Sequence, residues 1–107
     1  MNKPEIEKDL VIIGAGTAGL TAGIYASRLK LSTLILEDEI VGGQINDAYE
    51  VENYPGFMKV KGSDLTDIMK EQAIYAGAEI DEFDSIKKVD LADEFKILPA
   101  PKITVAF

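Results

Sequence analysis

The ordered pattern opens with four apolar residues in a row, Leu10-Val11-Ile12-Ile13, after a polar lead-in from Met1 to Lys8. The run is short, β-branched and uninterrupted, which predicts a strand buried on both faces. From Thr17 to about Leu29 the period changes to that of a helix. Gly16, Gly19/Leu20, Gly23/Ile24 and Ser27 share one side, small enough for close contact with a sheet. Arg28 and Lys30 stand near its end, where cations suit the helix dipole. Ser32 to Leu36 then reads as a second strand. A second helix is predicted from about Asp64 to Ala76, capped by Ser63 or Gly62 and closed by Gly77. Its core stripe is Leu65, Ile68, Met69, Gln72, Ala73 and Ala76, with Lys70 and Glu71 exposed. Ala78 to Phe83 reads as a third strand. Three short apolar runs follow, Ile86 to Leu91, Phe95 to Leu98 and Ile103 to Phe107, parted by Ala92-Asp93-Glu94 and Pro99-Ala100-Pro101-Lys102. Close strands with short polar turns predict an antiparallel meander.

Strands that alternate with helices imply a parallel sheet with right-handed crossovers, here in the order 3-2-1. The expected fold is therefore a doubly wound α/β half-domain followed by the meander. The connection from Ile40 to Phe57 is longer than most in compact domains and carries Gly42-Gly43 and the turn pair Pro55-Gly56. Ordered loops of that length more often serve function than mere connection.

The first strand, the first helix and the second strand frame the candidate chemistry. Gly14-Ala15-Gly16-Thr17-Ala18-Gly19 forms Gly-x-Gly-x-x-Gly, and Glu37 ends the second strand. Gly14 permits a tight turn off the strand, Gly16 admits the backbone to a pyrophosphate, and Gly19 lets the helix pack near the sheet. The helix start offers unpaired N–H groups and partial positive charge to phosphate. Glu37 follows at about the 20-residue distance where a carboxylate accepts bonds from adenosine ribose hydroxyls. The pattern alone is weak, since glycines can simply pack a helix on a sheet; strand before, helix after and acid beyond make it specific. The uncharged stretch from Leu10 to Ser27 is long enough to imitate a membrane span. Four glycines within it, and Glu5, Glu7 and Asp9 in place of a basic flank, argue against that.

Composition narrows the function further. The chain has 107 residues, a net charge of -8 and neither histidine nor cysteine. One domain at most is expected. The charge argues against nucleic acid or an anionic membrane as partner. No thiol chemistry, serine–histidine triad or cysteine–histidine metal site can be built from these residues, so cofactor-borne chemistry is the economical reading. The acids Asp81, Glu82, Asp84, Asp90, Asp93 and Glu94 read as solvated turns and strand edges, with no catalytic residue or metal ligand assigned among them. No targeting feature marks the lead-in, which makes the cytoplasm the expected location.

Taken in order and spacing, Gly14 to Gly19, Gly42-Gly43-Gln44 and Val51-Glu52-Asn53-Tyr54-Pro55-Gly56 resemble the start of a low-molecular-weight thioredoxin reductase, of the pyridine nucleotide-disulfide oxidoreductase type. The resemblance runs over almost the whole chain. It implies a Rossmann-like three-layer domain for FAD, incomplete relative to the family and lacking at least the last parallel strand. It also implies a cofactor-binding set: Gly14, Ala15, Gly16, Thr17, Ala18 and Gly19 on the pyrophosphate side; Glu37 and Asp38 at the adenosine ribose; Gly42, Gly43, Gln44, Ile45, Asn53 and Ile86 toward the flavin. Amides such as Gln44 and Asn53 suit a flavin edge, although surface amides are common. Thr17 stands where the family often has proline, a mild departure at a first helical turn. The nicotinamide domain, its Cys-x-x-Cys and the C-terminal return over the cofactor are not found in this sequence.

The leading expectation is thus the FAD-binding portion of a thioredoxin-reductase-like flavoprotein oxidoreductase, a single domain over residues 1–107, which by itself would not complete electron transfer to a disulfide. A thioredoxin-like partner is expected only for a full-length parent. FAD, or its ADP moiety, is the expected ligand, and pairing with a second copy through an unfinished sheet edge follows from the missing strand. Two alternatives stay open: a non-catalytic adenine-nucleotide or assembly module, and a related flavin reductase with another electron donor such as ferredoxin.

Overall fold

The computed structural model describes residues 5–84, 97–99 and 104–106. Its main sheet is parallel, formed by β2 (Leu10–Ile13), β3 (Thr33–Leu36) and β4 (Glu79–Asp81) in that order. This is the 3-2-1 order expected of right-handed crossovers. Leu10 lies opposite Thr33 and Ile13 opposite Leu36, while Leu34 lies opposite Glu79. Helix α1 (Thr17–Arg28) joins β2 to β3, and α2 (Gly62–Ala76) leads into β4.

All four residues of β3 are buried, because it has a neighbour on each side and α1 against it. The first strand differs from the expectation of burial on both faces: Leu10, Val11 and Ile12 are half-buried and Ile13 is exposed. Among the described residues β2 stands at the edge of the sheet, and an edge strand has no second neighbour to cover it. Leu20, Ile24, Ile35, Leu65, Met69 and Ala73 form the centre of the core.

Three further features depart from the sequence reading. Part of the polar lead-in is a strand, β1 (Glu5–Glu7), which pairs parallel with β6 (Thr104–Ala106). β6 also pairs antiparallel with β5 (Ile97–Pro99), so the last two runs of the expected meander do meet. The Ile86 to Leu91 run, with candidate Ile86, lies outside the described residues. Neither Ser63 nor Gly62 caps α2; Lys61 holds that position without a side-chain bond, and Gly62 is already helical. Gly62 is there for space, because a Cβ would overlap the Ile45 carbonyl oxygen. The buried stripe of α2 is Gly62, Leu65, Thr66, Met69 and Ala73, whereas Ile68 and Gln72 face solvent and Lys70 is only half-exposed. No helix among the described residues is long and apolar enough to cross a membrane.

Candidate functional site

The turn after β2 separates its three glycines by physical role. Gly14 takes φ 102°, a left-handed backbone that side chains rarely adopt, and donates its N–H to the Leu36 carbonyl at 2.8 Å. A Cβ on Gly19 would overlap the Gly14 carbonyl group, so Gly19 is needed for the helix to lie against the turn. Gly16 is different. A Cβ there would meet only the Gly42 carbonyl oxygen, at 4.0 Å, and its backbone is ordinary, with φ -76°. Neither packing inside the chain nor backbone conformation calls for glycine at Gly16.

Gly16 is also the N-cap of α1, and no capping side chain accepts a bond from the first-turn amides. The first-turn amides of Thr17, Ala18 and Gly19 thus start the helix dipole beside the space next to Gly16. Ala15 is fully buried, with its N–H donated to Glu37 Oε1 at 2.8 Å. Glu37 Oε2 accepts the Glu39 N–H at 2.9 Å. The carboxylate at the end of β3 therefore reaches back to the glycine turn, a contact the spacing did not foretell, and each oxygen keeps lone-pair capacity for another donor. Asp38 is exposed beside it.

The long connection meets the turn through Gly42, whose N–H donates to the Ala15 carbonyl at 2.8 Å. Gly43 to Asp47 forms a short 3-10 helix. Val51 and Val60 then close the loop as an antiparallel bridge, with Val51 N–H donated to Val60 at 2.6 Å. Inside that bridge the Phe57 N–H bonds the Tyr54 carbonyl at 3.2 Å, which makes the expected Pro-Gly turn. Gln44 and Asn53 are exposed and Ile45 is half-buried. The structure thus brings Gly14 to Gly19, Glu37 and Gly42 together in one cluster. Gly43, Gln44 and Ile45 continue from it, and Asn53 sits on the bridged loop.

Sequence reasoning missed the residues that hold the loop. Glu82, read as a solvated acid, accepts the Val41 N–H at 2.9 Å and pairs with Lys70 at 2.8 Å. Asp84, read in the same way, is buried. Asn46 donates to the Val41 carbonyl at 2.7 Å and accepts from Thr66 at 2.7 Å. No spacing rule links positions so far apart in the chain.

A parallel strand, a left-handed glycine turn, an uncapped helix start and an acid-tipped neighbouring strand define the Rossmann-like class of nucleotide-binding folds. The model of the family described as pyridine nucleotide-disulphide oxidoreductase matches residues 8–104, and the chain belongs to that family. It is 57% identical over 96 residues to a 34.2 kDa protein in the rubredoxin operon of Clostridium pasteurianum, covering 90% of this chain and 31% of that protein. It is 47% identical over 92 residues to the thioredoxin reductase of Bacillus subtilis, covering 86% of this chain and 29% of that one. The crystal structure of Lactococcus lactis thioredoxin reductase superposes with a TM-score of 0.86 at 33% identity, over 92% of this chain and 32% of that one. The chain thus spans about a third or less of the relatives it matches.

Proposed function

We propose that this chain is the FAD-binding portion of a thioredoxin-reductase-like flavoprotein and carries the adenosine half of the cofactor site. The observation behind this reading is the contrast between Gly19, which packing requires, and Gly16, which packing does not. A glycine kept beside an uncapped helix start, with open space at its Cβ, fits a site for pyrophosphate. Gly14 to Gly19 would hold the pyrophosphate through backbone N–H groups. Glu37 would take the ribose hydroxyls, with Asp38 beside it. The loop with Gly42, Gly43, Gln44, Ile45 and Asn53 would run along the flavin.

Bound FAD would supply the redox chemistry, since the residues of this chain offer no thiol or imidazole. The chain's own work is to bind the cofactor, orient it and shield one side. In a longer protein, other segments would furnish the nicotinamide site, the disulfide and the remaining wall of the flavin pocket, and a thioredoxin-like protein would be the partner. The isolated chain is accordingly a weak flavoprotein that does not reduce disulfides.

Calorimetric titration with ADP, FAD and the 2′-phosphorylated analogue of ADP tests this reading. One ADP per chain, with the 2′-phosphate form bound at least tenfold more weakly because Glu37 faces it, is the expected result. Equal binding of the two nucleotides, or no binding of either, would sink the reading.

A further inference from the structure

Val41 is held at both of its peptide groups by side chains from elsewhere. Its N–H donates to Glu82 Oε2 at 2.9 Å, and its carbonyl accepts from Asn46 Nδ2 at 2.7 Å. Each holder is itself fixed from α2: Lys70 Nζ donates to Glu82 Oε1 at 2.8 Å, and Thr66 Oγ1 donates to Asn46 Oδ1 at 2.7 Å. Thr66 and Lys70 lie one turn apart on the same face of the helix. The next residue, Gly42, has φ 109° and donates to Ala15, and a Cβ on it would overlap the Asn46 side chain. Val41 itself is buried. The loop is therefore fixed in position just before it passes the glycine turn.

We propose that Glu82, supported by Lys70, is a positioning residue for the flavin end of the cofactor. By fixing the Val41 amide it sets where Gly42, Gly43 and Gln44 stand relative to Ala15 and Gly16. The adenosine end depends on the turn and Glu37, which β2, β3 and α1 build without it. The proposal rests on the reading above of this loop as the flavin side. If Glu82 only tied β4 into the fold, its loss would lower stability and weaken every ligand alike.

The test uses the full 107-residue chain. Dissociation constants for ADP and FAD, thermal unfolding and the circular dichroism of the flavin band are measured for the parent, Glu82→Ala, Glu82→Gln and Lys70→Met. The parent is expected to bind FAD several-fold more tightly than ADP. Glu82→Ala should remove that advantage and the flavin dichroism while leaving ADP within twofold. Glu82→Gln, whose amide oxygen can still accept the Val41 N–H, should recover most of both, and Lys70→Met should fall between. Equal weakening of ADP and FAD in Glu82→Ala, no change in either, or a Gln variant as poor as the Ala variant would overturn the proposal. A parent that binds ADP but gains nothing from the flavin also overturns it and leaves the adenosine site standing. A parent that binds neither ligand fails the dinucleotide reading itself, and this role with it.

Discussion

The glycine turn and the long loop beside it meet at one hydrogen bond, Gly42 to Ala15, yet they are built by opposite means. The turn is made almost wholly of backbone. Its form follows from Gly14 at positive φ, Gly19 under the turn and the start of α1, all within a few residues of one another. The loop is held by side chains, Asn46 and Glu82, which α2 supports in turn. A site part built from neighbouring backbone depends on where its glycines stand and can be read from spacing. A part built from distant side chains can be broken by one substitution and leaves no local signal.

The largest effect expected from this contrast is at Gly19. Gly19→Ala forces a methyl group into the Gly14 carbonyl, and overpacking of that kind costs about 1–3 kcal/mol or more. Its thermal midpoint should fall by at least ~4 °C, with ligand binding lost alongside. Gly16→Ala should behave in the reverse way. With φ -76° and open space it should stay within about 1 kcal/mol of the parent in stability, since the poorer N-cap that alanine makes offsets the entropy it removes from the unfolded chain, while ADP binding drops more than tenfold. A Gly16→Ala chain that loses stability as Gly19→Ala does would erase the distinction between the two glycines.

Glu37 comes next, and it links the two parts of the comparison because its carboxylate serves both ligand and turn. Glu37→Ala should weaken ADP by one to two decades, as expected for loss of charge-assisted bonds of ~1.5–3 kcal/mol. It should also reduce stability measurably, since Ala15 is buried and its N–H would lose its partner. Parallel chemical unfolding and titration check both halves of that statement. The smallest effect is at Lys59, which lies 4.0 Å from both Glu50 and Glu52 at the solvent-exposed end of the loop. Lys59→Ala should change stability by less than ~0.5 kcal/mol and leave ADP binding as it was.

The same contrast explains what the sequence disclosed. Strand, turn, helix and acid lie within one continuous stretch, so Gly14, Gly16, Gly19 and Glu37 could be given separate roles from spacing alone. Thr66 and Lys70 could not, because their importance arises only when α2 is laid beside the loop; the apolar stripe placed the buried face slightly around the helix and left Lys70 in solvent. Glu82 resembled its acidic neighbours until the chain folded. The burial of β2 was overestimated for a related reason. Its residues are those of a central strand, whereas its edge position among the described residues is a property of the sheet and not of the four residues.

Amide chemical shifts followed during an ADP titration show most directly whether the space at Gly16 is a pyrophosphate site. The largest shifts are expected on Ala15, Gly16, Thr17 and Ala18, with a second group at Glu37 and Asp38, while the amides of α2 from Leu65 to Ala76 stay in place. Shifts that follow the exposed groove along α1, lined by Thr17, Ala18, Thr21, Ala22, Tyr25 and Tyr54, and leave Ala15, Gly16 and Glu37 unmoved, or no shifts at saturating ADP, would refute such a site.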